Sequence, residues 1–443
     1  MQPPTGKRRH EDISSNSSPS AKHRRTASGS DFSTYDIKHA LDMPPPPAPH
    51  GPPPQPPQPL PQVTNRTADL SELFDFCALQ SQQDISARFE LLASELLHNY
   101  RLEVTHEEKI EYLEILELEF YLYKSGSHED PFTHASAEQS QAGRWYFHRP
   151  PRRTNDPVPQ GAAPMGYRGG TRKGMDITIG APPPTVTSKY FLPANPGEAS
   201  SSAAENAVLR GGVLLRSIRR ASDSKVISGP SLLVDELLRL SGASEIAELV
   251  ALHWDGDISA LPPSPNLIPS RDSTMWLRRT PPAPPSVSSK PAPTPPRIFR
   301  SPRIGLDISH PSIAPPTALA HPRVIYVARP YRFFTHPHLL TANGRGQTFL
   351  GVYDALEARG HCTNDAELLG ELVRLTGVKG PTAKNYLAAL RAGLGAGKLE
   401  EWIGPEGKKV LSSVTKWLTM AGTLRRLQAA AGTSAASGSG TAA

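Results

Sequence analysis

The residue types best suited to chemistry lie between positions 115 and 180. Over 116–123 apolar and polar residues alternate with period two, which predicts a strand with Leu116, Leu118, Phe120 and Leu122 on one face and Glu117, Glu119, Tyr121 and Tyr123 on the other. The first face is core, and the second offers carboxylates and phenols. The next loop carries His128, Glu129, Asp130 and His134. Carboxylates and tyrosines beside a histidine loop make a floor for a pocket that takes a flat polar ligand. Alternatively, His128, Glu129, Asp130 and His134 are oxygen and imidazole donors of a metal-dependent nuclease or hydrolase, with a cation activating water. Their spacing fits no standard ligand pattern, and Pro131 with Phe132 suits a turn and packing, so no metal is assigned.

The elements that must position these residues follow from periodicity. Asp69 opens a short helical stretch, and Asp84 is the expected N-cap of a better helix with Ile85, Phe89, Leu92, Leu96 and Leu97 at helical spacing. Arg101 to Val104 and 109–123 read as a hairpin, although Glu and Leu also favour helix in the second arm. Further strands are expected at 143–149, at 175–180 with Asp176 at its start, and at 211–216 ending in Arg216. Ser228-Gly-Pro-Ser231 starts a helix with Leu232, Leu233, Leu237 and Leu238 on its apolar side. The stretches 301–306, 324–327 and 329–334 read as closing strands. The expected fold is α+β, a mixed α/β class: a compact antiparallel-rich β core with flanking helices, disordered Pro-rich arms and a C-terminal helical extension. The expected boundaries are a disordered 1–66, a core domain over 67–336 with insertions at 150–170, 181–206 and 256–298, accessory helices over 345–428, and a disordered tail over 429–443. Within those helices Leu375-Thr-Gly377-Val-Lys-Gly380-Pro resembles the hairpin of a helix-hairpin-helix DNA-backbone module, with its second glycine one residue late.

Composition narrows the class. The 443 residues include 48 prolines and are 37% hydrophobic, so much of the chain lies outside a packed core. Two cysteines, Cys77 and Cys362, stand far apart, which supports neither a disulfide framework nor a thiolate zinc site and fits a reducing compartment. No stretch approaches the roughly 18 apolar residues of a membrane span, so no membrane is expected. A net charge of +6 favours a polyanionic partner. Two basic clusters within 7–25 resemble a bipartite nuclear-import signal, implying an import receptor and the nucleus.

The order of Glu-x-Glu-x-Tyr-Leu, Asp-Pro-x-x-His, an aromatic strand opened by Gly143, Met-Asp-Ile, Val-Leu-Leu-Arg, Ser-Gly-Pro-Ser, Trp-Leu-Arg-Arg, Pro-Arg-Ile-Gly-Leu and Arg-Pro-Tyr-Arg-Phe resembles the alkyladenine (methylpurine) DNA glycosylase family over roughly 84–335. The resemblance implies a monomeric, cofactor-free, monofunctional enzyme that releases a damaged purine flipped out of duplex DNA. It implies Glu119 as the carboxylate that activates water, with Glu117 close enough to raise its pKa. Tyr121 and His134 would hold the flipped base, and His148 stands where the family has a tyrosine wall. Asp176 stands where the family has asparagine; offering acceptors only, it would favour a base edge that donates. Arg216 would sit near the pocket and contact DNA, or be a buried structural partner of Glu117. Tyr167 is the expected wedge into the duplex, and Arg144, Arg168, Arg172 and Lys173 the expected phosphate contacts. Loss of catalysis on the same fold would leave a nuclear nucleic-acid-binding or scaffolding factor.

Overall fold

The alternating stretch forms strand β2, Lys109–Lys124, 16 residues long and central to the sheet. Its Glu and Leu content does not make it a helix because both edges are paired, and pairing overrides propensity. On one edge β1, Tyr100–His106, covers its first half, and β10, Arg332–Phe334, covers 117–119. On the other edge β6, Leu209–Arg220, runs along 113–124. The computed structural model describes residues 69–134, 136–150, 166–182, 208–263, 271–281, 294–341, 343–360 and 362–438. The basic clusters of 7–25, most of the first two expected insertions and part of the third lie outside these residues.

Beyond β6 lie β5, Met175–Ile179, and β4, Trp145–Phe147; beyond β1 lies β8, Ser273–Arg279. β3, His128–Glu129, β7, Val226–Ser228, and β9, Phe299–Ser301, pair with β2, β6 and β10 respectively. Together with the helices this is an α+β fold. Residues 273–279, expected within an insertion, instead form a ladder with β1 in which Leu102 faces Leu277 and Val104 faces Met275.

One sheet face is dry. Leu118, Phe120, Leu122, Val213, Leu215, Ile177, Trp145, Phe147 and Phe333 pack there against α2, Gln82–Ser94, and α3, Pro230–Leu240. The N-cap of α2 is Ser81, whose Oγ accepts from the Asp84 amide at 3.0 Å; Asp84 sits one turn in and accepts in return from Ser81 Oγ at 2.6 Å. Leu232, expected on the apolar side of α3, is 59% exposed, while Val234 takes the buried position. Residues 324–327 are not a strand: His321 accepts from Arg323 N and starts α5, Pro322–Val327, with a proline in its first turn.

The opposite face has a second core. Leu116, Phe299 and Phe334 from the sheet pack with Phe349, Leu350 and Leu356 of α6, Arg345–Glu357, and with Leu368, Leu372, Leu390, Trp417 and Leu418. The last five belong to α7, Asp365–Thr376, α8, Gly380–Ala396, and α9, Val414–Gly438. These helices therefore share a core with the sheet, and the described residues form one compact unit. The helix α9 continues to Gly438, through much of the expected tail. None of the described helices is long and apolar enough to cross a membrane.

Ending the chain after Asn343 should uncover Leu116, Phe299 and Phe334. The shortened protein is expected to bind a hydrophobic dye and lose the cooperative thermal transition of the full chain, whereas a self-sufficient core over 67–336 would keep that transition.

Candidate functional site

Alternation along β2 breaks once, and the break builds the site. Ile115 pairs with Ile218 and Glu117 with Ser217, so Leu116 is the extra residue on β2; Leu118 then pairs with Leu215, so Arg216 is the extra residue on β6. Two bulges on facing strands restore the register within three residues. Leu116 consequently leaves the face of Leu118 and joins the second core, contrary to strict alternation. Arg216 and Ser217 both turn toward Glu117: Arg216 Nε donates to Glu117 Oε1 at 3.1 Å and Ser217 Oγ donates to Oε2.

Both carboxylates are buried. Glu117 also accepts from Arg332 Nε at 2.6 Å, and Arg332 in turn donates to Ser301 Oγ at 3.0 Å and Thr348 Oγ1 at 2.9 Å. Burial pushes the Glu117 carboxyl up, but Arg332 and then Arg216 outweigh it and hold the carboxyl below its usual range. Glu119, with 0% exposure, accepts at Oε1 from Ile304 N at 2.7 Å and at Oε2 from Tyr121 Oη at 2.8 Å and Arg216 Nη1 at 3.3 Å. Burial and then the negative Glu119 keep the Tyr121 phenol protonated, well above its usual range. Arg303, itself fully buried, lies 4.4 Å from the Tyr121 ring centroid.

The cross-strand register carries this cluster across the sheet. Ser301, Arg332, Glu119, Leu214, Asp176 and Tyr146 form one row of paired residues over six strands. Glu119 and Asp176 are two strands apart, about 10 Å at ~4.8 Å per strand. Around Asp176 lies a second group. His148 Nε2 donates to Asp176 Oδ1 and Gln139 Nε2 to Oδ2, each at 2.9 Å. The His134 ring centroid is 4.5 Å from that of His148 and 6.1 Å from that of Tyr146. Burial, then the neighbouring His148, lower His134 to about 4, so it is neutral at neutral pH. Glycines make the room: a Cβ at Gly174 would stand 2.6 Å from His148 Cε1, and one at Gly212 2.7 Å from Asp176 Oδ2.

The structure therefore brings together Glu119, Tyr121 and Arg216 at one end of a row and His134, His148 and Asp176 at the other. Asp176 differs from expectation: each of its oxygens already takes a donor, so it orients His148 instead of presenting a free acceptor edge. Arg216 is the buried partner of Glu117 and also of Glu119, not a surface DNA contact. Tyr167 does not project as a wedge; its ring packs edge-on to Phe147 with Arg149 4.2 Å from its centroid. Of the basic residues, Arg172 is exposed, Arg168 donates to Arg149 O beside His148, and Lys173 is paired with Asp235. Arg144 lies elsewhere, lining a cavity of about 600 Å³ with Phe74 and Asp257.

The four residues of the metal-centre alternative do not converge. His128 is held between Leu122 O and Tyr331 Oη, Asp130 is bonded to Arg303, and Glu129 accepts from Gly126 N. Among the described residues no three His, Cys, Asp or Glu side chains gather as a ligand set. Sequence reasoning missed Arg332, Ser217, Gln139 and the Ile304 amide as members of the site. Arg332 had a signal, because it lies in the Arg-Pro-Tyr-Arg-Phe stretch; Gln139 had none.

No family model matches the chain. It is similar to "Uncharacterized protein L759" of Acanthamoeba polyphaga mimivirus, 32% identical over 143 residues, which is 30% of this chain and 51% of the viral protein. The chain thus spans about half the length of the curated relative it matches.

His134 gives a pH signature. Its folded pKa lies below its ordinary 6.5, so the unfolded chain binds the proton first. The neutral ring's contribution is complete above about 6.5 and declines as pH falls toward about 4. Urea unfolding at pH 7.5 and 5 is expected to show a smaller acid loss for His134→Phe than for wild type; equal losses would remove His134 as the source.

Proposed function

We propose that this chain is a monofunctional purine DNA glycosylase: a hydrolase of the N-glycosidic bond that acts in the nucleus on a damaged purine flipped out of duplex DNA. The observation that carries the proposal is the row that sets Glu119 two strand spacings from Asp176, the partner of His148, and three from Tyr146 on one sheet face, with the His134 ring beside those of His148 and Tyr146. A base held against these rings would have its sugar carbon toward Glu119. Stacking on such faces returns about 1–3 kcal/mol per base, comparable with the cost of unstacking.

In this proposal a water oxygen bonds to the anomeric carbon as the glycosidic bond breaks, its electron pair leaves with the base nitrogen, and Glu119 takes the water's proton. The negative charge of Glu119 also stabilises the oxocarbenium-like centre. Arg216, bonded to both carboxylates, fixes Glu119; Tyr121 donates to the same oxygen and must swing or share for the water to enter. A neutral His134 suits a base made cationic by alkylation, because it adds no repulsive charge. The chemistry needs no cofactor. Nor does it need a lysine Schiff base, and Lys124, on the same strand, is occupied by the carbonyls of Phe76, Cys77 and Leu79.

One observation favours binding without catalysis: Glu119 has no exposure and donors on both oxygens. Single-turnover base release from duplexes carrying hypoxanthine, ethenoadenine or alkylated guanine separates the two. With EDTA present, wild type is expected to release base, and Glu119→Gln to be slower by at least about 100-fold, the usual contribution of a general base. Binding with no release by either protein would leave a non-catalytic nuclear binding factor. Asp176→Asn places an amide between the donors of His148 and Gln139; it is expected to shift the relative rates on hypoxanthine and alkylated guanine, and an unchanged ratio would remove Asp176 from lesion choice.

A further inference from the structure

A second site lies where β9 and the end of β10 meet α6 and α7. A cleft of about 720 Å³ opens there, lined by Arg297, Phe299, His336, His338, Arg359 and Arg374 among others. Its two carboxylates are already engaged. Glu371 is bonded to Arg374 at 2.7 Å, and Glu367 accepts from Thr363 N at 2.8 Å and Thr363 Oγ1 at 3.0 Å. Arg297 and Arg359 have no carboxylate partner among the described residues. Among the described residues the Arg297 guanidinium donates to Ala355 O, at 2.7 Å, and it lies 5.0 Å from the Phe299 ring centroid. Burial, and then the positive Arg359, push Arg297 below its usual range. Two like charges in a partly apolar cleft repel unless an anion joins them.

Two histidines lie beside these guanidiniums. His336 is held at φ 48°, a left-handed conformation that a non-glycine residue rarely adopts, and its ring centroid is 6.2 Å from that of His338. Two imidazoles thus stand beside two guanidiniums without carboxylate partners, a donor set suited to phosphate oxygens. Gly377, in the tight connection between α7 and α8, packs on His338, and the adjoining Lys379 and Lys384 are exposed.

We infer that this cleft binds the phosphodiester backbone of a nucleic acid, with Arg297 and Arg359 as the principal contacts. A free phosphate would use the same donors, but the cleft is far larger than one phosphate, and the exposed Lys379 and Lys384 follow Gly377, which packs on the cleft residue His338. The strand β10 links the two places, since Arg332 pairs with Glu119 in the row and His336, four residues on, lines the cleft. The inference shares its partner with the proposed function but not its chemistry.

The test uses the full chain and an undamaged fluorescent duplex, so that absence of base excision does not bear on the result. Anisotropy titrations over a range of salt concentrations compare wild type with the double variant Arg297→Gln, Arg359→Gln and with the exposed single reversal Arg359→Glu, whose melting temperature checks folding. Removing one cation that neutralises a phosphate should make the log–log salt slope shallower by about 0.9. The double variant is expected to bind about tenfold more weakly with a slope shallower by one to two, and Arg359→Glu to weaken binding in the same direction. Unchanged affinity and slope in both would overturn the inference. Calorimetry with inorganic phosphate is the second arm: phosphate binding abolished in the double variant while duplex binding is unchanged would make the cleft a free-phosphate site and also overturn the nucleic-acid assignment.

Discussion

Facing bulges at Leu116 and Arg216 are the constraint on which the rest of the sheet depends. A lone extra residue on β2 would throw every later side chain to the wrong face, because the period of a strand is two. The extra residue on β6 cancels the slip, so Leu118, Phe120 and Leu122 return to the dry core while Glu117 and Glu119 keep the company of Arg216. Burying two carboxylates is tolerable only with full compensation. Arg216, Arg332, Ser217, Tyr121 and the Ile304 amide supply it, and they come from four separate stretches of chain. Arg303, bonded to Asp130 and to the Phe120 carbonyl, braces the same strand from beneath Tyr121.

The row divides into two electrical regimes. Its Glu119 end is made of full charges locked in pairs; its Asp176 end has one carboxylate serving a histidine and a glutamine, with a neutral His134 alongside. Leu214, 5% exposed, separates them. The first end is rigid because each guanidinium holds more than one acceptor. The second is shaped by absent side chains, since Gly174 and Gly212 leave the space that His148 and Asp176 fill.

Much of this was legible in the sequence, and what was not has a physical cause. Period-two alternation found β2, and the hydrophobic runs found β5 and β6, because a sheet face must bury its apolar half. The Leu116 bulge was invisible: nothing in Ile-Leu-Glu-Leu-Glu distinguishes a residue facing one core from the same residue facing another. Residues 324–327 misled because Val-Ile-Tyr-Val has strand composition, whereas Pro322 and the His321 cap fix a helix. At the site, Glu119, Tyr121, His134, His148 and Asp176 came from motif order, but their partners did not. Whether Asp176 offers an edge or spends it depends on Gln139, which reaches it across 37 positions. The helical segment after 345 looked separable because its periodicity is self-contained; that it covers Leu116 and Phe334 is a property of packing alone.

The bond from Arg332 to Thr348 has a consequence for how the molecule is made. A ribosome that has just delivered Glu119 still has to add the residues up to Thr348, a delay on the order of ten seconds to a minute at ordinary translation rates. Over that interval the β2 carboxylates wait first for Arg216, then for the Ile304 amide and last for Arg332. The acidic row is therefore completed in vectorial fashion, and Arg332, itself fixed by Thr348 of α6, is the last piece that converts a nascent strand with stray negative charge into a finished interior.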